Sequence, residues 1–317
     1  MTPTPPTADP LVATSLLPVP LPDPGRYVAV AGDWHGNTAW ARKVLRSLSY
    51  RRIRVLLHVG DLGVWPGEEG AVYLDDLEHA CAQYGITVLF LDGNHEDFGQ
   101  LEAAERDEAG IARLRPHIWH LPRGLRWTWA GIGFAAMGGA TSLDVGSRRA
   151  HVSWWPQEAL RPHQRQQLVD GGQVDVLLTH DCPSGTSIPG LSDQWPPAAL
   201  AHAIRHRKAL REAVDQVAPT HLIHGHFHVA YRDQLTLTGA TTAAATVVVG
   251  LAGDGSSYDD NVVLLNLPEL ALAVNARRGG DAADPDRGLI DPKLGGALNS
   301  APHETAHLEG DAHADAE

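Results

Sequence analysis

The chain has 317 residues, of which 43% are hydrophobic and 20% charged. That is enough for one large domain or two small ones with a sizeable core, and too apolar for wholesale disorder. No apolar run approaches the roughly 18 residues that span a bilayer, and a net charge of −13 disfavours bulk attraction to nucleic-acid backbone.

The first basic residue is Arg26, so no positive segment followed by an apolar one marks a secretory signal. Cys81 and Cys182 are too few for a disulfide framework, and the chain reads as cytoplasmic. Residues 1–24 are rich in Pro and read as an extended leader whose Leu and Val can pack a short stretch on the body. A domain is expected over 25–275. Residues 276–317 form an acidic tail of Gly, Ala, Asp and His, with nine acids after residue 280. So few large apolar side chains predict disorder there, and His303, His307 and His313 read as solvated.

In chain order, YVAVAG (27–32) is a strand stopped by Gly, and 38–49 has helical spacing at Trp40, Val44, Leu45 and Leu48. Strands follow at 54–60 and 86–93, with a helix between them from Val72 to Tyr84. Repeated strand, loop and helix signals a parallel α/β sheet, and the continuously apolar strands read as buried on both faces. Three short pieces over 118–139 read as antiparallel strands. A helix from Glu158 to Val169, a strand at 174–180, a helix at 197–217 and a strand at 220–225 come next. Tyr231 to Val274 reads as short strands and turns. Two sheets packed face to face with helices outside account for this order.

Five strings put polar, metal-competent residues directly after an apolar strand: GDWHG (32–36), GD (60–61), GNHE (93–96), TH (179–180) and GHFH (225–228). Ligands collect beyond the carboxyl ends of strands in α/β sheets, so five such ends can converge. Carboxylate, amide and imidazole donors without thiolate suit Mn, Fe, Zn and related divalent ions. In D-x-H an extended segment projects both side chains to the same side, and the glycines allow sharp turns.

In this order the blocks resemble the calcineurin-like metallophosphoesterase superfamily, with its D-x-H, G-D, G-N-H-[DE], H and G-H-x-H pattern. The resemblance implies a four-layer α-β-β-α sandwich of two mixed sheets flanked by helices. It implies two divalent metal ions, with Mn²⁺ preferred and Fe, Zn, Ni or Mg as alternatives. Asp33, His35 and His228 would hold the first, Asn94, His180 and His226 the second, and Asp61 would bridge. A metal-bridging hydroxide would attack a phosphomonoester or phosphodiester, with His95 protonating the leaving group or stabilising the transition state. The chain departs from the protein phosphatase branch: Gly60-Asp61-Leu62-Gly63-Val64-Trp65 replaces G-D-x-x-D-R-G, and Asp92 stands where an Arg precedes G-N-H-E. The Asp partner of the catalytic His and two phosphate-binding Arg are therefore missing, although Glu96 matches.

The loop 138–158 offers Arg148 and Arg149 for a substrate phosphate, and Trp154 or Trp155 for stacking on a base. Among the remaining residues, His58 reads as a satisfied core histidine, and His224 as an outer neighbour of the ligands. His151, His163, His202 and His206 read as surface or helix residues, and Cys182 as a soft donor that the set does not need. Nucleic acid enters only as a substrate, in the alternative reading of a nuclease. A non-catalytic scaffold of the same fold is the other alternative, disfavoured because every expected ligand is present.

Overall fold

The computed structural model describes residues 9–16, 19–191, 194–238, 245–279, 284 and 286–290. Part of the tail expected to be disordered, 276–317, is ordered: residues 276–278 end a helix, and Leu289–Ile290 pair antiparallel with Leu264–Leu265 because Leu289 packs into the inter-sheet core. His303, His307 and His313 lie outside the described residues.

The first half alternates β1 (Tyr27–Ala31), α1 (Thr38–Tyr50), β2 (Val55–His58), α2 (Gly67–Tyr84), β3 (Thr87–Phe90) and α3 (Phe98–Ala103). Short strands β4 (Ala112–Arg115), β5 (Ile118–His120), β6 (Arg126–Trp129) and β7 (Ile132–Met137) follow. Then come α4 (Pro162–Asp170), β8 (Val176–Thr179), α5 (Pro197–Val217), β9 (His221–His224), β10 (Tyr231–Thr236) and β11 (Ala245–Gly250). The chain continues through α6 (Tyr258–Asn261), β12 (Val262–Asn266), α7 (Leu267–Arg278) and β13 (Leu289–Ile290).

The strands form a seven-stranded sheet, β13-β12-β1-β2-β3-β5-β4, and a six-stranded sheet, β10-β11-β9-β8-β7-β6. Both are mixed. β1, β2, β3 and β5 run parallel in the first, and β7, β8, β9 and β11 in the second.

Alternation along each strand builds the layers. Val28, Val30, Leu57 and Leu89 face Phe134, Ala136, Leu178, Ile223 and Val249 across the inter-sheet core. Their neighbours Ala29, Ala31, Leu56, Val88 and Phe90 turn the other way, onto Val44, Leu45 and Leu48 of α1 and Leu74 and Leu77 of α2. On the far side, Leu177, Leu222 and Val248 meet Leu210, Val214 and Val217 of α5 and Leu168 of α4. The result is the four-layer α-β-β-α sandwich expected from the resemblance.

Several elements differ from the sequence reading. α2 begins at Gly67, five residues before Val72, because Glu68 and Glu69 suit the positive end of a helix. The expected helix from Glu158 starts at Pro162, a favoured first-turn residue, while Glu158 ends a 3-10 turn with its side chain buried. Of the three short pieces over 118–139, β6 and β7 pair antiparallel, but β5 joins the other sheet parallel to β3. The chain crosses between sheets at Leu121–Leu125, where both leucines lie in the inter-sheet core. Residues 267–278 form a helix rather than strands and turns: Pro268 and Glu269 open it, and Leu270, Ala273 and Val274 sit at helical spacing. Asn266 ends β12 and takes the N-cap position of that helix, so the boundary is marked by a helix-start pattern that the strand-and-turn reading missed. Near the N-terminus, Leu11 and Ala13 are buried, and Val12 bridges Arg123. No helix among the described residues is long and apolar enough to cross a membrane.

Candidate metal centre

All seven expected ligands lie within four residues of a parallel strand's carboxyl end, and the two sheets bring those ends together. Main-chain hydrogen bonds lay the turns on one another. Asp33 N–H donates to the Gly60 carbonyl at 3.0 Å, His35 N–H to Asp61 O at 2.9 Å, and Gly225 N–H to His180 O at 3.2 Å. Buried Glu96 ties the turn after β2 to the one after β3 by accepting from Leu62 N–H at 2.7 Å and Gly93 N–H at 2.6 Å.

Donor atoms gather in three overlapping groups, each with its atoms within 4.8 Å of one another: Asp33, His35 and His228; His35, Asp61 and His95; and Asp61, His180 and His226. Asn94 joins the last group, its Oδ1 standing 3.1 Å from His180 Nε2. Asp61 Oδ2 lies 3.4 Å from His35 Nε2 and 3.3 Å from His180 Nε2, so it faces both ends of the constellation. Asp33, Asp61, Asn94 and His180 form a buried floor, and His95 and His228 stand at the open rim.

The local backbone is not the extended segment that the D-x-H and H-x-H spacing suggests. Asp33 (φ 56°), His35 (45°), Asp61 (55°), His226 (71°) and His228 (54°) are all left-handed. Such conformations cost roughly 1–3 kcal/mol each and persist where the surroundings over-determine them. At Asp33, Asp61 and His226 the carboxylates do so: Asp33 Oδ1 accepts from His226 N–H and Asp61 Oδ1 from His95 N–H, both at 2.9 Å, while His35 is held by its N–H on Asp61 O.

The glycines also serve a different purpose from the one expected. Of Gly32, Gly60, Gly93 and Gly225, only Gly60 has positive φ. The others make room: a Cβ on Gly225 would overlap Asp33 Oδ2, one on Gly93 would overlap Asp61 Oδ1, and one on Gly32 would lie 2.7 Å from Val59 Cγ2. Gly93→Ala is therefore expected to destabilise the chain by about 1–3 kcal/mol, an overpacking cost. Gly146→Ala, whose Cβ meets nothing within 4 Å, is expected to be neutral. Paired thermal melts check the contrast, and equal melting points would contradict it.

Charge at the centre follows from the same packing. Burial opposes ionisation of Asp33, yet His228 and His180 outweigh it and hold the carboxyl below its usual range. Asp61 is held well below that range, with His180 and His95 overcoming burial. Burial also opposes charge on His35 and His180, but Asp61 prevails and raises them to about 9 and about 10. Burial pushes His226 down to about 4. A cation binding here would find two ionised carboxylates and a neutral His226, and would displace protons from His35 and His180. Asp33 Oδ2 and His35 Nε2 are buried without a hydrogen-bond partner, a costly state for polar atoms that a cation would relieve. Carboxylate and amide oxygens with imidazole nitrogens suit a divalent ion. The residues present therefore fit a metal centre.

Residues 27–230 match the family model described as calcineurin-like phosphoesterase. The chain belongs to that family. Comparison with curated proteins gives no match. Among solved structures, this family member is similar to a protein of Thermus thermophilus, at 14% identity and a TM-score of 0.45, covering 77% of this chain and 96% of that one. It is also similar to a dimetal phosphatase from Danio rerio, at 12% identity and a TM-score of 0.48, covering 77% and 93%. A third likeness is to a purple acid phosphatase from yellow lupin seeds, at 13% identity and a TM-score of 0.43, covering 76% and 49%.

The loop 138–158 brings Arg148, and not Arg149, to the centre. Arg148 Nη2 donates to His95 Nε2 at 2.7 Å, and its Nε is fixed on Asp144 at 2.8 Å. Arg149 is exposed. Trp155 is buried against the outer face of the first sheet, which removes it from base stacking, and Trp154 is half-buried. His58 is a core histidine but not a satisfied one: neither ring nitrogen has a hydrogen-bond partner, and the ring packs edge-on against Trp34 at 4.7 Å. Burial pushes it down to about 3, so it is neutral. His224 donates to or accepts from Tyr231 Oη at 2.7 Å, and Cys182 Sγ lies 3.5 Å from the same oxygen. His206, expected on a surface or helix, is on α5 but buried, with Nδ1 2.6 Å from Asp181 Oδ2.

Three residues beside the expected ligands escaped the sequence reading. Asp254 Oδ1 lies 3.4 Å from His35 Nδ1, while its Oδ2 accepts from Asn37 Nδ2 at 2.7 Å. It follows β11 in Gly253-Asp254-Gly255, the same strand-then-polar signal as the five blocks. Ser142 and Glu158 lie behind Asn94, and nothing local marks them.

Proposed function

We propose that this chain is a dinuclear metal-dependent phosphoesterase that hydrolyses phosphate monoesters or diesters. The observation that carries the reading is the overlap of the three donor groups through His35 and Asp61, which gives one carboxylate two sets of neighbours. Asp33, His35 and His228 hold one cation, Asn94, His180 and His226 the other, and Asp61 serves both. Bound, the two divalent ions supply an activated water near neutral pH and positive charge for the phosphoryl group; Mn²⁺ is the first choice to test, before Fe, Zn, Ni or Mg.

His95, whose Nε2 accepts from Arg148 here and lies 3.9 Å from Asp61 Oδ2, is the proton donor or transition-state contact at the rim once a substrate phosphate draws Arg148 off that nitrogen. It has no carboxylate orienter of the protein phosphatase kind among the described residues. Arg148 stands against it instead, and its guanidinium is the anion contact for the substrate phosphate. Held by Asp144, it loses little freedom on binding a phosphate oxygen.

Purified protein with Mn²⁺ is expected to hydrolyse p-nitrophenyl phosphate or bis-p-nitrophenyl phosphate, and chelation is expected to stop it. Failure with both esters across a metal series, with no metal bound, would end this reading. Arg148→Ala is expected to lower kcat/KM by about 10–100-fold, the value of a charge-assisted hydrogen bond, and Arg149→Ala to leave it unchanged. Steady-state kinetics on the better ester measure both.

A further inference from the structure

Asn94 poses a problem that a carboxylate does not. Its two amide ends have nearly the same shape, but only the oxygen has lone pairs for a cation. Turned over, the same side chain would aim an NH₂ group at the metals.

The side chain is held from behind. Asn94 Nδ2 donates to Ser142 Oγ at 3.0 Å. Ser142 Oγ donates to Glu158 Oε2 at 2.5 Å, and Ser142 N–H donates to Glu158 Oε1 at 2.8 Å. Asn94, Ser142 and Glu158 are all buried, so no water competes for these groups at their surface. Arg123 Nη2 reaches the Glu158 carbonyl at 3.3 Å and fixes the main chain from which that carboxylate projects. On the opposite side, Asn94 Oδ1 faces His180.

We propose that Ser142 and Glu158 form a relay that sets the direction of the Asn94 amide, so that Oδ1 faces the cations and Nδ2 faces away. The polarity runs one way. A carboxylate only accepts, so the single hydroxyl proton of Ser142 goes to Glu158. The remaining lone pairs of Ser142 Oγ can meet only a donor, and Asn94 offers one from Nδ2. Ser142 and Glu158 are thus positioning residues: neither touches the metal donors' open side, and both act through Asn94. The inference rests on the reading of Asn94 as a ligand.

The test is calorimetric titration of Mn²⁺ into the full chain as wild type, Ser142→Ala, Ser142→Thr and Glu158→Gln. Outer partners of metal ligands are worth about 10–100-fold in affinity. Ser142→Ala and Glu158→Gln are expected to weaken one of two Mn²⁺ sites by that factor and leave the other within about threefold of wild type. Gln can donate to Ser142 Oγ and so reverses the hydroxyl. Ser142→Thr keeps the hydroxyl and is expected to bind as wild type does. Two wild-type affinities in both Ser142→Ala and Glu158→Gln would overturn the relay while leaving the metal centre standing. Equal weakening of both sites, with a lowered melting point and no recovery in Ser142→Thr, would make the role structural and also overturn it. A wild-type chain that binds no Mn²⁺ would remove the functional reading itself, and the relay with it.

Discussion

Asp61→Asn is expected to reduce phosphoesterase turnover by at least roughly 10³-fold and to leave fewer than two Mn²⁺ ions per chain. The size of the loss follows from where the carboxylate oxygens point. Oδ1 is committed to His95 N–H at 2.9 Å, which leaves Oδ2 to face His35 at 3.4 Å and His180 at 3.3 Å. Asn has the same shape and can still accept from His95 N–H, so the turn after β2 should survive. It then turns an NH₂ group, without charge, toward both halves of the donor set. Charge stabilisation by metal ions is worth several kcal/mol, and each 1.36 kcal/mol is tenfold in rate. Metal analysis and turnover on the better aryl ester measure the two parts, and far-ultraviolet circular dichroism checks the fold. A variant that keeps two Mn²⁺ and a tenth of the activity would show that Asp61 is not shared.

Why so much of this centre was legible lies in the chemistry of strand ends. Each expected ligand follows an apolar run by a few residues, so Asp33, Asp61, Asn94, His180 and His226 can be picked out before any pairing of strands is known. The sandwich was legible for a related reason: strands such as VAVA and VLLH are apolar on both faces, which fits a sheet covered on each side. What the residues hid were properties of the third dimension. Left-handed backbone recurs at Asp33, His35, Asp61, His226 and His228, a conformation that Asp and His adopt more readily than most residues, but where it falls depends on contacts between segments, such as the carboxylates of Asp33 and Asp61 accepting from the N–H groups of His226 and His95. Gly93 and Gly225 look like turn residues in the sequence, whereas their value is the absence of a Cβ beside Asp61 and Asp33. Glu158 is far from Asn94 in sequence and reaches it only through Ser142. The boundary between β12 and α7 was marked in the sequence by Asn266, Pro268 and Glu269, a helix-start pattern that the reading of 231–274 as short strands and turns missed.

Arg123→Met is expected to cost about 3–5 kcal/mol, as breaking a buried ion pair usually does, and to lower the melting point by roughly 10 °C. Arg123 is fully buried, and its donors converge on one neighbourhood. Nε and Nη2 meet Asp92 Oδ2 at 3.0 and 2.6 Å, and Nη1 meets Gln164 Oε1 at 2.7 Å. The carbonyls of Gln157, Glu158 and Ala159 accept the rest at 2.9, 3.3 and 3.3 Å. Methionine fills similar volume but leaves Asp92 buried with only His120, at 3.2 Å, whose own protonation burial disfavours. The pH dependence separates charge from packing. In the wild type, burial opposes ionisation of Asp92, but Arg123 and His120 hold its carboxyl far below the ordinary carboxylate range. From about pH 4.5 to 7 it is therefore ionised in both folded and unfolded chains, and contributes little slope there. Without Arg123, burial is no longer outweighed and the folded pKa rises above the unfolded value of about 3.9. The folded variant then holds a proton that the unfolded chain has lost, so its stability falls as the pH rises through that interval. The gap between wild type and Arg123→Met should thus be wider at about pH 7 than at about pH 4.5 in urea unfolding. A gap of equal size at both pH values would assign the loss to packing and the carbonyl partners rather than to the charge on Asp92.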